Sequence, residues 1–205
     1  MNKKQLALTL SKLEALHTFN VHLEQYQTTS ELASELLWLA YHQGDLETKT
    51  VVDLGTGNGI LGIGALLLGA SHVYFLDLDK GALEICKKNL LSLKILKKKY
   101  TLLEGDVASF DYKVDTTLMN PPFGVQKKGA DKTFLTVAMD QAQAIYSIHK
   151  FESKKFIDSF SLDHGFMVEG VLKREFILRK TYAFHTKEKH TFTIGLWILR
   201  KLPSC

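Results

Sequence analysis

The stretch TVVDLGTGNGILG, residues 50–62, decides how the chain is read. Its first part, TVVDLG (50–55), is a β-branched apolar run closed by glycine, the pattern of a buried strand. Its last part runs into ILGIGALLLGA (60–70), the composition of a buried helix. Between them Gly57, Gly59 and Gly62 spell G-x-G-x-x-G. Alone that spacing is weak, because glycine also serves any tight turn. With a strand before it and a helix after it, the stretch reads as a ligand-binding loop at the carboxyl end of a strand.

Working outward, the pattern repeats. HVYFLDLD (72–79) predicts a strand and KGALEICKKNLLSLK (80–94) an amphipathic helix. YTLLEGD (100–106) and VDTTLMN (114–120) predict strands, KTFLTVAMDQAQ (132–143) a helix, AIYSIH (144–149) a strand and ESKKFIDSFSLDH (152–164) a helix. GFMVEGVLKREFIL (165–178) and HTFTIGLWILRK (190–201) predict two long strands with no helix between them. Strands alternating with helices imply an α/β fold, with a mostly parallel sheet and helices on both faces. The last two strands imply an antiparallel end. Before the first strand, KQLALTLSKLEALHTF (4–19) and TSELASELLWLAYHQ (29–43) carry helical spacing. Ser30 is placed to cap the second helix and Gly44 to end it.

Composition limits the choices. The chain has 205 residues, suited to one domain with a short N-terminal extension. Apolar residues are 45% and charged residues 23%, ordinary for a globular protein. Two cysteines, Cys86 and Cys205, build no disulfide framework, and no Cys/His cluster has zinc spacing, so a reducing, cytoplasmic setting is expected. No run approaches a membrane span, and the N-terminal apolar run is too short and interrupted for a secretory signal. Net charge is +4, with lysines clustered at 94–100, 126–132, 149–155 and 172–180. The second cluster follows a distinctive turn, which favours an anionic partner such as nucleic acid.

That turn is Asn120-Pro121-Pro122-Phe123, at the end of the fourth strand. Prolines donate no backbone hydrogen bond and stop a strand abruptly, yet keep their carbonyls. Four residues thus offer a rigid carbonyl, an amide side chain and an aromatic face, a grip for a planar amine. Acids stand at the ends of the other strands: Asp53 in the first, Asp77 and Asp79 closing the second, Asp106 closing the third. Asp77 is placed to accept from ribose hydroxyls and Asp106 from an adenine amine, while Asp79 reads as a helix cap. No cation lies within the loop and no P-loop lysine follows, so a nucleoside without phosphates fits better than a triphosphate.

Together, the D-x-G-x-G loop, the acid after the second strand and Asn-Pro-Pro-Phe after the fourth resemble the class I S-adenosylmethionine-dependent methyltransferases that act on exocyclic amines. LEQYQTTSELAS (23–34), NPPFG (120–124), YSIHK (146–150) and FHTKEK (184–189) are similar to methyltransferase-like proteins that modify an adenine N6 in small-subunit ribosomal RNA. The resemblance spans roughly residues 20 to 200. It implies a Rossmann-like class I fold: a seven-stranded, mostly parallel sheet with an antiparallel C-terminal strand and helices on both faces. It implies a helical extension over 1–48 that packs on the core and contributes to the cofactor site, then a methyltransferase domain over 49–205.

The resemblance also assigns residues. Gln25 and Thr28 touch the cofactor's tail, and Asp53, Gly55, Gly57, Asn58 and Ile60 form the loop site. Asp77 holds the ribose, and Asp106 with Val107 the adenine. Asn120, Pro121, Pro122 and Phe123 form the catalytic turn. Lys127, Lys128, His149 and Lys150 are the candidate substrate contacts; for the last two a plain surface pair fits equally well. Gln27 stands where relatives often carry proline, and Asn58 where they can carry cysteine. The implied partners are ribosomal RNA and a small zinc-containing activator protein, and no metal is expected in the chain itself. Protein glutamine-N5 or DNA amino-methylation uses a similar grip. A non-catalytic RNA-binding module and a nicotinamide-dependent oxidoreductase are the readings from other classes.

Overall fold

The computed structural model describes residues 1–16, 28–122, 130–179 and 189–203. Phe123, Gln25, Lys127 and Lys128 lie outside them, as do residues 184–188 of the FHTKEK stretch. The chain opens with helices Lys3–Leu10 (α1) and Ser30–His42 (α2). Then come Thr50–Leu54 (β1), Ile60–Leu67 (α3), His72–Asp77 (β2), Lys80–Ser92 (α4), Tyr100–Glu104 (β3) and Thr116–Met119 (β4). Ala130–Gln141 (α5), Ala144–Lys150 (β5), Lys154–Asp163 (α6), Phe166–Arg179 (β6) and Lys189–Lys201 (β7) complete it.

The strands form one seven-stranded sheet in the order β3-β2-β1-β4-β5-β7-β6. β1 pairs in parallel with β2 and β4, β2 with β3, and β4 with β5. β7 runs antiparallel between β5 and β6. The expected fold class is the observed one, with a single antiparallel strand at the C-terminal side of the sheet. The chain reverses its strand order after β3, returning to place β4 beside β1. That crossover opens a crevice at the carboxyl ends of β1 and β4.

Each face of the sheet has its own core. Val51, Val73, Phe75, Leu118 and Tyr146 face α1, α2, α3 and α4. Val52, Leu54, Leu76, Met119, Ile145 and Trp197 face α5 and α6. This alternation follows from the period-two side-chain direction of a strand covered on both sides. Two glycines let α3 sit close. A Cβ at Gly62 would lie 2.4 Å from Phe75 Cε1 on β2, and one at Gly64 would lie 2.2 Å from Leu37 Cδ1 on α2.

Two local expectations change. α1 ends at Leu10 rather than continuing to 19. Ser11 Oγ folds back onto the Leu8 carbonyl (3.0 Å), and further on the Glu14 backbone is taken by Asn89 and Asn58, side chains distant in sequence. At α2 the cap is Thr29, whose Oγ1 accepts from Leu32 N at 3.2 Å, one residue before Ser30. Gly44 follows that helix with φ of 75°, as its position suggests.

At the amino ends of the strands a polar knot ties the sheet. Arg200 Nη1 and Nη2 donate to the two oxygens of Asp45 at 2.8 and 2.7 Å. Tyr146 Oη donates to Asp45 Oδ2 at 2.5 Å, and Thr116 Oγ1 to the Asp45 carbonyl at 2.7 Å. Burial, then the bond to Asp45, raises the Tyr146 phenol well above its ordinary value.

Candidate active site

The glycine loop bends back over β1 because Gly55, Gly57 and Gly59 all have positive φ, at 67°, 56° and 88°. A side chain there would be strained. Gly59 then starts α3 without a side-chain cap, and a Cβ on it would meet Cys86 Sγ at 2.6 Å.

Two carboxylates hold the loop. Asp53, 1% exposed, lies beneath it. Its Oδ2 accepts from Thr56 Oγ1 at 2.7 Å and from Gly62 N at 2.8 Å, bridging the loop's start to the first turn of α3. Burial pushes its carboxyl up to about 7, and these two bonds only partly offset that. Asp77 stands at the end of β2. Its Oδ2 accepts from Gly57 N at 2.7 Å and its Oδ1 from Asp79 N at 2.9 Å. Burial also raises its carboxyl above the ordinary value. A carboxylate offers about four acceptor sites, so Asp77 keeps capacity for hydroxyls.

Asn58 is buried and its amide points at the N-terminal segment: Nδ2 donates to the Glu14 carbonyl at 3.1 Å. Asn89, on α4, completes a clamp. Its Oδ1 accepts from Glu14 N at 2.8 Å, and its Nδ2 donates to the carbonyls of Glu14 and Asn58 at 3.1 and 3.0 Å. Sequence reasoning gave Asn89 no role. The signal was an asparagine on the buried stripe of an amphipathic helix, a position normally apolar. Leu16 reaches the loop too, with its Cδ1 3.6 Å from where a Gly57 side chain would begin.

Asp106 is exposed and caps a single 3-10 turn, accepting from Ala108 N at 2.9 Å, and Val107 is half-buried beside it. Asp79 caps α4 by accepting from Gly81 N at 2.8 Å. Ile60 is buried at the start of α3.

β4 delivers Asn120, Pro121 and Pro122 to the same edge. Pro121 is buried and Pro122 half-buried. Asn120 Nδ2 donates to Thr28 Oγ1 at 2.8 Å, joining positions 92 residues apart. Thr28 is 8% exposed. β5 brings His149 and Lys150 to the edge by another route. His149 is buried at 3% exposure, and its Nε2 has no hydrogen-bond partner among the described residues. Desolvation lowers it to about 4, so the imidazole is neutral at physiological pH. Lys150 remains half-buried at the strand end.

The loop after β1, Asp77 after β2, Asp106 after β3, Asn120 after β4 and Lys150 closing β5 therefore share the carboxyl edge of the parallel strands. Among the described residues no cluster of three or more His, Cys, Asp or Glu could hold a metal ion. No helix among them is long and apolar enough to cross a membrane.

Comparison with known proteins agrees with this architecture. The family model for ribosomal protein L11 methyltransferase (PrmA) matches residues 25–121, which take in the loop, the acids and the first two residues of the Asn-Pro-Pro turn. A crystal structure from Pyrococcus horikoshii, PH1948, provisionally described as an RNA methyltransferase, superposes with a TM-score of 0.90 at 43% identity, covering 99% of both chains. The zebrafish (Danio rerio) rRNA N(6)-adenosine-methyltransferase METTL5 is 32% identical, over 92% of this chain and 93% of its own length. The Methanocaldococcus jannaschii protein MJ0284, of uncharacterised function, is 31% identical over 98% and 95%. With this fold, this edge and these relatives, the chain belongs to the METTL5 family of class I methyltransferases.

Proposed function

We propose that this methyltransferase moves the methyl group of S-adenosylmethionine to the N6 amine of an adenine in small-subunit ribosomal RNA. The observation that carries the reading is Asn120-Pro121-Pro122 at the carboxyl end of β4, on the same edge as the Gly57-bonded carboxylate of Asp77. The residues present fit a nucleoside cofactor. Asp77 retains acceptor sites for ribose hydroxyls, and the loop is bare of side chains at Gly55, Gly57 and Gly59. Asp106 and Val107 close the next strand where an adenine would lie. Gln25 belongs with the cofactor's tail.

S-adenosylmethionine supplies an electrophilic methyl group. The protein supplies position and electrostatics. An adenine N6 is a poor nucleophile because its lone pair is shared with the ring. The Asn120 Oδ1 and the Pro121 carbonyl each accept one of its hydrogens, drawing the nitrogen toward tetrahedral geometry and freeing the lone pair. The two prolines fix the backbone that carries both acceptors. Phe123 stacks on the base, which must leave its stack to reach such a turn. Lys127, Lys128 and Lys150 meet phosphates without reading sequence. Neutral His149 contributes no charge there.

The test is methyl transfer from labelled S-adenosylmethionine to isolated small ribosomal subunits, ribosomal RNA, DNA and ribosomal protein, with and without a small zinc-containing activator protein. Digests are read by mass spectrometry. N6-methyladenosine in small-subunit RNA is expected, lost in Asn120→Ala while S-adenosylhomocysteine still binds. Label in protein glutamine would overturn the RNA assignment. The match to the ribosomal protein L11 methyltransferase model makes label in any ribosomal protein the outcome to look for first.

A further inference from the structure

Part of the strand pairing lies outside the body of the sheet. The last pair between β5 and β7 is Lys150–Ile194, yet β6 and β7 go on pairing for five more rows, from Glu175–Thr193 to Arg179–Lys189. These rows continue in the direction in which β5 runs, past its carboxyl end. At about 3.3 Å per residue the two strands project roughly 16 Å beyond β5. β7 lies two strand spacings from β4, so the ribbon rises about 10 Å to the side of the Asn120 turn.

A two-stranded ribbon alone is marginal in water. This one is braced where it leaves the sheet, on both faces. Arg174 Nε donates to Glu35 Oε2 at 3.0 Å and its Nη2 to Oε1, a two-point bond to α2. Lys173, one residue earlier and so on the other face, sets its Nζ 5.2 Å from the centre of the Phe151 ring. An exposed ion pair adds little to global stability. What the two contacts do is fix the direction in which the ribbon leaves the sheet.

The end row has a charge problem. Arg179 and Lys189 are paired positions, and like charges directly opposite each other destabilise a ribbon. Over 173–179 and 189–193 the sequence sets Lys173, Arg174, Arg179 and Lys189 against one acid, Glu175. A cation on an edge strand also keeps other chains from pairing with it. One suffices for that, and here two are opposed. A phosphate between two cations turns their repulsion into attraction.

We infer that the β6–β7 ribbon is an arm for ribosomal RNA: its root is fixed on α2 and Phe151, and its end row, Arg179 and Lys189, takes a backbone phosphate to the side of the adenine to be methylated. The inference deepens the methyl-transfer reading and rests on it. Such a contact carries no sequence information. It extends the footprint on RNA beyond the reacting base, so it acts on RNA affinity and leaves the chemical step alone.

The experiment compares wild type with R179Q/K189Q on isolated small-subunit ribosomal RNA. Filter binding over a range of salt gives the affinity and its salt slope, and turnover with labelled S-adenosylmethionine gives KM and kcat. The variant is expected to bind RNA about tenfold more weakly at low salt, and to lose about 1–2 from the slope of log affinity against log salt. KM for RNA should rise by a similar factor, with kcat and S-adenosylhomocysteine affinity within about twofold of wild type. K97Q/K98Q removes as much charge from the amino edge, just before β3, and should leave affinity and slope unchanged. Thermal unfolding checks the fold, and the single variants R179Q and K189Q give the same reading at about half the slope change where the double variant is less stable. Unchanged affinity and slope in R179Q/K189Q would overturn the inference, as would an equal loss in K97Q/K98Q or a fall in kcat at constant KM. Wild-type protein that binds S-adenosylhomocysteine and methylates no RNA would overturn the functional reading, and the inference with it.

Discussion

At the scale of single residues, two buried ionisable groups pull stability in opposite directions. His149 sits at about 4 in the folded protein against an ordinary 6.5. Between those values the unfolded chain binds more protons, so the His149 contribution is lost as pH falls from about 6.5 to about 4. Asp53 is raised from 3.8 to about 7. Between those values the folded protein binds more protons, so its contribution is lost as pH rises through that window. Each effect is worth roughly 3–4 kcal/mol at its limit, and the two overlap. Removing one should expose the other. Relative to wild type, His149→Gln should lose more stability on going from pH 5 to pH 7, and Asp53→Asn should gain. Urea midpoints at the two pH values check this; parallel shifts in both variants would contradict it. Neither role was readable from sequence. An acid beside a glycine loop and a histidine at a strand end look like ligand contacts when burial is unknown. In the structure Asp53 braces the loop from below, and His149 lies inside.

At the scale of elements, the strand–loop–helix unit at 50–67 and the Asn-Pro-Pro stop after β4 were legible because both are local patterns. Glycine spacing, β-branched runs and proline chemistry act over a few residues. The N-terminal segment was not. Leucine spacing predicted a helix to residue 19, but what happens at Glu14 is decided by Asn89, 75 positions away. No periodicity in 4–19 could report that. Asn89→Ala should show how much the clamp matters. It removes three hydrogen bonds centred on a 2% exposed side chain, at a cost of about 2–3 kcal/mol. It should also release residues 11–16 from the glycine loop. Amide exchange at Glu14 should then accelerate by far more than that of β1 amides, and S-adenosylhomocysteine affinity should fall. Equal acceleration everywhere would mean the clamp is only part of the global fold.

At the scale of the whole molecule, the polar knot and the proposed site occupy opposite edges of one sheet. The carboxyl edge carries the loop, the acids and Asn120. The amino edge carries the Asp45–Arg200–Tyr146 knot, which joins the connection before β1 to β5 and β7. Asp45→Ala leaves a partly buried guanidinium with only Glu169, at 3.3 Å, as an acid partner among the described residues and strands a buried phenol, and should cost roughly 2–4 kcal/mol. Because the knot's hydrogen bonds lie at the opposite edge of the sheet from the glycine loop, the proposed methyl-transfer rate of the remaining folded protein at 25 °C should be unchanged. Urea unfolding and initial rates on the same preparation test both halves. A mostly parallel sheet with an antiparallel C-terminal end was implied by the strand–helix alternation; the strand order was not. The knot was not, because its members come from positions 45, 146 and 200.

The placement of β7 between β5 and β6 has a consequence for biosynthesis. A ribosome makes β5 and β6 before the strand that separates them. Until β7 emerges, each of those strands keeps an open ladder, and Trp197, which fills the core beneath them, is missing. The nascent chain can therefore assemble β1 to β4 early, but it cannot close its sheet until translation has passed residue 200. In that interval the exposed ladders are open to mispairing with other chains, and a chaperone that shields strand edges would act on this protein late in its synthesis.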